Sequence, residues 1–159
     1  MLPQRILEVG SGEGLIGLWF CSRCKAQSLT SVDAWRKKEK NEKCFDTNRQ
    51  LALSPEGRGW GGDVTKEKGD EILTIMRFLE TRRVFDFIVV AGGREGKDVL
   101  FIATAAVRLL PLGGVLMLRD YSNSEGQQYT IDSFAASHEE LLIRVYCGED
   151  DACFRRLDV

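Results

Sequence analysis

Three glycines alternate with a serine and a glutamate in Gly10-Ser11-Gly12-Glu13-Gly14, and Glu8 stands two residues ahead of the first. Glycine at that spacing lets a backbone turn sharply and approach a ligand closely, with amide donors free to face it. A carboxylate follows at Asp33, closing the run Ser28-Leu29-Thr30-Ser31-Val32-Asp33. At the tip of the strand after a glycine turn, such a group accepts hydrogen bonds from both hydroxyls of a ribose. Gly62-Asp63-Val64 supplies a second acidic tip, whose acceptors suit an exocyclic amine such as that of adenine. Ala91-Gly92-Gly93 adds small residues that leave room. The chemistry implied is recognition of a nucleoside. Asp120 and Arg94, near the later tips, are the candidates for handling a reacting group.

These residues converge only if short strands alternate with helices, because an α/β sheet gathers its ligands at the carboxyl ends of its strands. The pattern supports this. Strands are expected at 5–9, 28–33, 85–91 and 115–120, with a weak third strand leading into Gly59–Gly62. Helices are expected at 14–24, 35–53, 66–82, 97–110 and 124–137. The clearest is 66–82, where Ile72, Ile75, Met76 and Leu79 fall at i, i+3, i+4 and i+7. Two last strands, 140–147 and 152–159, flank the short loop Gly148-Glu149-Asp150-Asp151 and predict an antiparallel hairpin.

With those elements in place, the chain resembles the class I S-adenosylmethionine-dependent methyltransferases over nearly its whole length. "ILEVGSGEG" resembles their first motif, "SLTSVD" the second, "GGDV" the third, "FDFIVVAGG" the fourth and "LLPLGGVLMLRDY" the fifth strand with its lead-in. The resemblance implies a Rossmann-like, seven-stranded, mostly parallel sheet of order 3-2-1-4-5-7-6, in a single domain over 1–159. It implies S-adenosylmethionine as cofactor. Gly10, Gly12 and Gly14 would cradle the methionine part, with Glu8 orienting them, often through water. Asp33 would hold the ribose, Gly62, Asp63 and Val64 would meet the adenine, and Ala91 would line the floor.

Among these enzymes the likeness is strongest to small-molecule O-methyltransferases of the catechol type. The metal-dependent ones carry an Asp at the end of the fourth strand, where Ala91 stands here. Their second carboxylate matches Asp120, and the Asn that follows it is Tyr121 here. One carboxylate is too few for magnesium or calcium, so no metal ligands are expected. Methyl transfer would rest on proximity, with Asp120 as general base and Arg94 or Tyr121 placing the acceptor. The alternative is a subunit that has lost catalysis and acts through protein or RNA contacts. A nucleotide-dependent oxidoreductase is a third reading, weakened because Leu15 stands where a dinucleotide fingerprint needs its third glycine.

The remaining features bear on partners and setting. The first strand begins within five residues of Met1, so the helices that usually lid the cofactor are missing ahead of it. An open acceptor side suits a macromolecular acceptor or a protein partner. Arg36-Lys37-Lys38-Glu39-Lys40 is either a solvated helix face or a phosphate-contacting patch for RNA. Net charge of −2 gives nucleic acid no general pull. Trp35 is placed either to cover the adenine or to pack. Cys21-Ser22-Arg23-Cys24 has metal-motif spacing but no second ligand pair, and His138 reads as structural. No run is long and apolar enough for a bilayer, and no signal-peptide pattern is visible. Five cysteines without a framework point to a reducing, intracellular setting, the cytoplasm.

Overall fold

The computed structural model describes residues 2–35, 39–57, 59–91 and 96–158. Seven strands form one sheet: β1 (Arg5–Val9), β2 (Ser28–Asp33), β3 (Asp63–Lys68), β4 (Phe87–Val90), β5 (Val115–Arg119), β6 (Leu142–Cys147) and β7 (Asp151–Arg156). Five helices connect them: α1 (Leu15–Cys24), α2 (Glu39–Leu53), α3 (Glu71–Glu80), α4 (Gly96–Leu109) and α5 (Glu125–Ser137). The order across the sheet is β3-β2-β1-β4-β5-β7-β6, as expected from sequence. The first five are parallel, and β7 enters antiparallel between β5 and β6.

The central strands read as continuous apolar runs because helices cover both of their faces. All four residues of β4 are buried, as are Ile6, Leu7 and Val9 of β1. One face carries α3, α4 and α5, where Ile75, Phe78, Ile102, Ala106, Ile131 and Phe134 meet Ile88, Leu116 and Phe154. The other face carries α1 and α2 and a smaller cluster built on Ile6, Leu18, Cys21, Leu29, Trp60, Val89 and Met117. α3 starts cleanly because the Asp70 carboxylate accepts from the Leu73 amide. Arg156 of β7 reaches the far end of α4 and donates to the carbonyls of Val107 and Leu110, which have no partner within the helix.

The third unit differs from the expectation. β3 runs over Asp63–Lys68, so Lys66, Glu67 and Lys68 belong to a strand, and the following helix is ten residues long rather than spanning 66–82. Its sequence, Asp-Val-Thr-Lys-Glu-Lys, has no apolar alternation because it is a sheet edge. Backbone pairing with β2 holds it, aided by Lys66 and Lys68 bonded to Glu42 of α2 at 3.0 and 2.6 Å.

Candidate functional site

β1 and β2 are neighbours, so the glycine turn and Asp33 lie side by side at their carboxyl ends. Gly10, Gly12 and Gly14 all take positive φ, at 79°, 52° and 72°, a region that disfavours side chains. Close approach adds a second demand for glycine. A Cβ on Gly10 would stand 3.1 Å from the Ala91 carbonyl oxygen, and one on Gly14 would run into the Phe45 ring of α2.

The turn's amides face the protein, which corrects the expectation of outward donors. Gly10 and Ser11 donate to the Val32 carbonyl at 2.8 and 3.3 Å, and Gly14 donates to that of Ser11 at 2.7 Å. Gly12 N–H donates to Asp33 Oδ2 at 2.8 Å. The Gly10 carbonyl accepts from no described residue, and a Cβ on Gly12 would meet nothing within 4 Å. The turn therefore offers a ligand room and a carbonyl acceptor.

Asp33 and Trp35 act on this turn together. Asp33 Oδ1 accepts from the Trp35 backbone N–H at 2.8 Å, and Trp35 Nε1 donates to the Gly12 carbonyl at 2.8 Å. Gly12 is thus held at both its polar groups. Each carboxylate oxygen has two lone pairs, so Asp33 keeps acceptor capacity for a ligand. Trp35 is 5% exposed and has φ of 43°. Its ring lies 5.4 Å from that of Phe45, and the Lys66 ammonium stands 5.1 Å from its centre. Lys66 also pairs with Glu42 and Asp46 at 3.0 and 2.9 Å. Burial presses its ammonium toward the neutral form, but the two carboxylates outweigh this and raise its pKa. A tryptophan two residues past Asp33 is visible in the sequence, but nothing there reveals its bond to Gly12.

Glu8 works behind the turn. It is 1% exposed, and Oε1 accepts from the Gly17 amide at 2.9 Å. That amide lies in the first turn of α1, whose N-cap, Gly14, offers no side chain. Burial pushes the carboxyl up to about 7, against the pull of Gly17, Ser11 and Ser31. Glu8 orients the turn through a direct bond to protein.

Three expected adenine residues lie elsewhere. Asp63 pairs with Ser28 and Val64 with Leu29, at the amino ends of β2 and β3. Gly62 lines a groove with Lys25, Gln27 and Trp60 at that same end. Gly62, Asp63 and Val64 are therefore at the amino ends of the strands, opposite to the carboxyl ends where Asp33 lies. The true tip of β3 is Lys68, followed by Gly69 and Asp70, with the Gly69 amide bonded to the Asp33 carbonyl at 3.0 Å. Gly-Asp directly ahead of an amphipathic helix was the signal available, since Asp there is a helix cap.

At the β4 tip, the Ala91 amide bonds the Val9 carbonyl at 2.9 Å, which sets Ala91 beside Gly10. Gly92, Gly93 and Arg94 lie outside the described residues, as do Arg36, Lys37 and Lys38 of the basic run. Asp120 follows β5 with φ of 59°, half-buried, its carboxylate without a partner among the described residues. Two backbone bonds, from Tyr121 and Ser122 to the carbonyls of Asp150 and Glu149, pin this turn to the final hairpin. Tyr121 does not place an acceptor. Its hydroxyl bonds Asp132 at 3.0 Å and Gln128 at 3.3 Å within the α5 side of the core. Gln128 lowers its pKa, but burial and the Asp132 carboxylate outweigh that and hold it above the ordinary phenol value.

Cys21 is buried in the α1 cluster, and burial raises its thiol's pKa, while Cys147 pairs with Ala152 rather than Cys153. All five cysteines are free. His138 stacks on Phe134 at 4.5 Å and its Nδ1 bonds the Phe134 carbonyl at 2.9 Å, a structural cap. A groove of about 760 Å³ lies between α1, α2 and the β5–β7 face, lined by Leu15, Trp19, Asn48, Met117, Arg119 and Asp151 among others.

Residues 7–121 match the sequence profile of a methyltransferase-domain family. The chain belongs to that family. Solved structures agree in fold. The O-methyltransferase from Bacillus cereus, in complex with S-adenosylhomocysteine, superposes with a TM-score of 0.71 at 15% identity, over 98% of this chain and 74% of that one. The N-methyltransferase NodS from Bradyrhizobium japonicum gives 0.62 at 19%, over 98% and 79%. The ribosomal protein L11 methylase from Lactobacillus delbrueckii gives 0.64 at 16%, over 96% and 70%. Three acceptor chemistries on one fold show that the fold does not name the acceptor. No protein of curated function matches the sequence.

Proposed function

We propose that the cleft at the carboxyl ends of β1, β2 and β4 binds S-adenosylmethionine and that the chain transfers its methyl group to an acceptor presented on the β5 side. The observation that carries this is the double anchoring of Gly12. It places a carboxylate with spare lone pairs beside a glycine-rich turn whose Gly10 carbonyl accepts from no described residue. A ribose needs the first and an ammonium the second. The residues present therefore fit the cofactor.

When bound, the cofactor supplies an electrophilic methyl on a sulfonium. The chain's contribution is to hold, orient and take a proton. Asp33 fixes the ribose hydroxyls. Glu8, through Gly17, fixes α1 and with it the turn. Asp120 is the group that accepts the acceptor's proton as the bond forms, and Arg94 would position the acceptor. Orientation of this kind contributes several kcal/mol without further chemistry. The reading includes no metal, because Ala91 stands where metal-dependent relatives carry a carboxylate.

Calorimetric titration with S-adenosylhomocysteine, S-adenosylmethionine and NAD is the test. Saturable binding of the first two and none of the third is expected. NAD binding alone would overturn the assignment.

A further inference from the structure

The two edges of the sheet are defended differently. β3 carries Lys66 and Lys68 tied to α2 and Glu67 tied to Arg77 of α3, and charge of this kind is how natural proteins blunt an edge. β6, at the other end of the order, exposes Ile143 at 45%, Val145 at 48% and Tyr146 at 57%. Its outer side is paired by no strand among the described residues. Just before it stand Glu139 and Glu140, and just after it Glu149 and Asp150, all exposed and none in an ion pair among the described residues. Arg144 is committed to Asp132 at 2.7 Å. Of the two β7 cations beside β6, Arg156 opposite Leu142 is committed to the Val107 and Leu110 carbonyls, and Arg155 stands opposite Ile143.

We propose that the outer edge of β6 is a docking surface for an extended segment of a partner protein, apolar at its centre and carrying lysine or arginine at both ends. The six residues of β6 span roughly 20 Å at about 3.4 Å each, with one residue between the strand and each acidic pair, so a segment of about nine residues reaches both. Acid at both ends demands cations at both ends, whichever way the segment runs. A second copy of the chain is a poor occupant. Antiparallel pairing of two β6 edges would set Glu139 and Glu140 of one against Glu149 and Asp150 of the other, and like charges placed opposite destabilise a pair. A groove of about 340 Å³ between α5 and β6, lined by Ala135, Ala136, Leu142 and Phe154, is placed for alternate side chains of the added strand. The register slip between Arg144 and Tyr146 turns Val145 out of the ladder, as a further apolar contact. β6 runs parallel to β5, so the docked segment ends beside Asp150, whose carbonyl holds the Tyr121 amide next to Asp120.

The probe is a fluorescent nine-residue peptide, Lys-Lys-Val-Thr-Val-Thr-Val-Lys-Lys, followed by anisotropy, with a control in which glutamate replaces each lysine. The lysine peptide is expected to bind and to weaken as salt rises, and the glutamate peptide not to bind. The combined variant E139K/E140K/E149K/D150K is expected to lose about tenfold in affinity for the lysine peptide. Tyr146→Lys, which alters a single exposed side chain, is expected to weaken binding at an unchanged melting temperature. Failure of the lysine peptide to bind, or equal binding of both peptides, overturns the proposal. So does sedimentation as a dimer that Tyr146→Lys dissolves, which would make a second copy the occupant.

Discussion

The two halves of the cleft are built by different means. On the β1–β2 side, backbone and side chain lock each other: Gly12 by Asp33 and Trp35, Gly14 against Phe45, α1 by Glu8. On the β4–β5 side, Ala91 offers only a methyl group, and Asp120 carries a carboxylate with no partner among the described residues, in a left-handed turn pinned through its neighbours' backbone. The first half is over-determined, as suits a ligand of fixed shape. The second leaves its side chains free to differ, as suits a fold whose relatives methylate oxygen, nitrogen or a ribosomal protein.

The largest effect that would break this contrast is expected at Gly14. Gly14→Ala must adopt φ of 72° and displace the Phe45 ring, at a cost of about 4 kcal/mol in stability. Thermal unfolding checks it, and an unchanged midpoint would show that α2 yields. Next comes Glu8. Its carboxyl titrates near 7 when folded and near 4.5 when free. Between those values the folded chain keeps a proton that the unfolded chain has released, so stability falls as pH rises through that window, by about 3 kcal/mol in all. Glu8→Gln keeps an acceptor for Gly17 and is expected to flatten that slope in denaturant titrations at pH 4 to 8.

Smaller effects sharpen the contrast at the ligand. Asp33→Ala strips the amides of Gly12 and Trp35 of their acceptor, and is expected to weaken S-adenosylhomocysteine binding by about 2 kcal/mol in calorimetry. Trp35→Phe keeps most of the ring packing and loses only the bond to Gly12, for about 1 kcal/mol in the same assay. Asp120→Asn tolerates the left-handed turn and should leave both stability and binding within about 0.5 kcal/mol. Its effect belongs to turnover alone, so weakened cofactor binding in this variant would erase the distinction between the halves.

Sequence reasoning located the β1 turn and β2 because buried parallel strands write themselves as apolar runs with a polar tip. It misplaced the third unit for the converse reason. β3 is an exposed edge whose residues answer to α2 by charge, so neither period nor hydropathy marks it. The sequence pattern places Lys66 in a helix and Asp63 at a strand tip, whereas Lys66 lies within β3 and Asp63 begins it. Trp35 stands in the sequence as an aromatic two residues past Asp33, but its indole bond joins residues 23 apart. Tyr121 follows Asp120 directly, which suggests an acceptor-side residue, yet beyond the left-handed turn at Asp120 its hydroxyl is bonded to Asp132 of α5.

The insertion of β7 between β5 and β6 has a consequence for synthesis on the ribosome. Until residues 151–156 have emerged, β5 has no outer neighbour, β6 has no partner, and α4 lacks the guanidinium that closes its last turn. Between the emergence of β5 and that of β7 the nascent chain therefore carries an open, apolar sheet margin, and truncations that remove β7 should aggregate rather than yield a smaller stable protein.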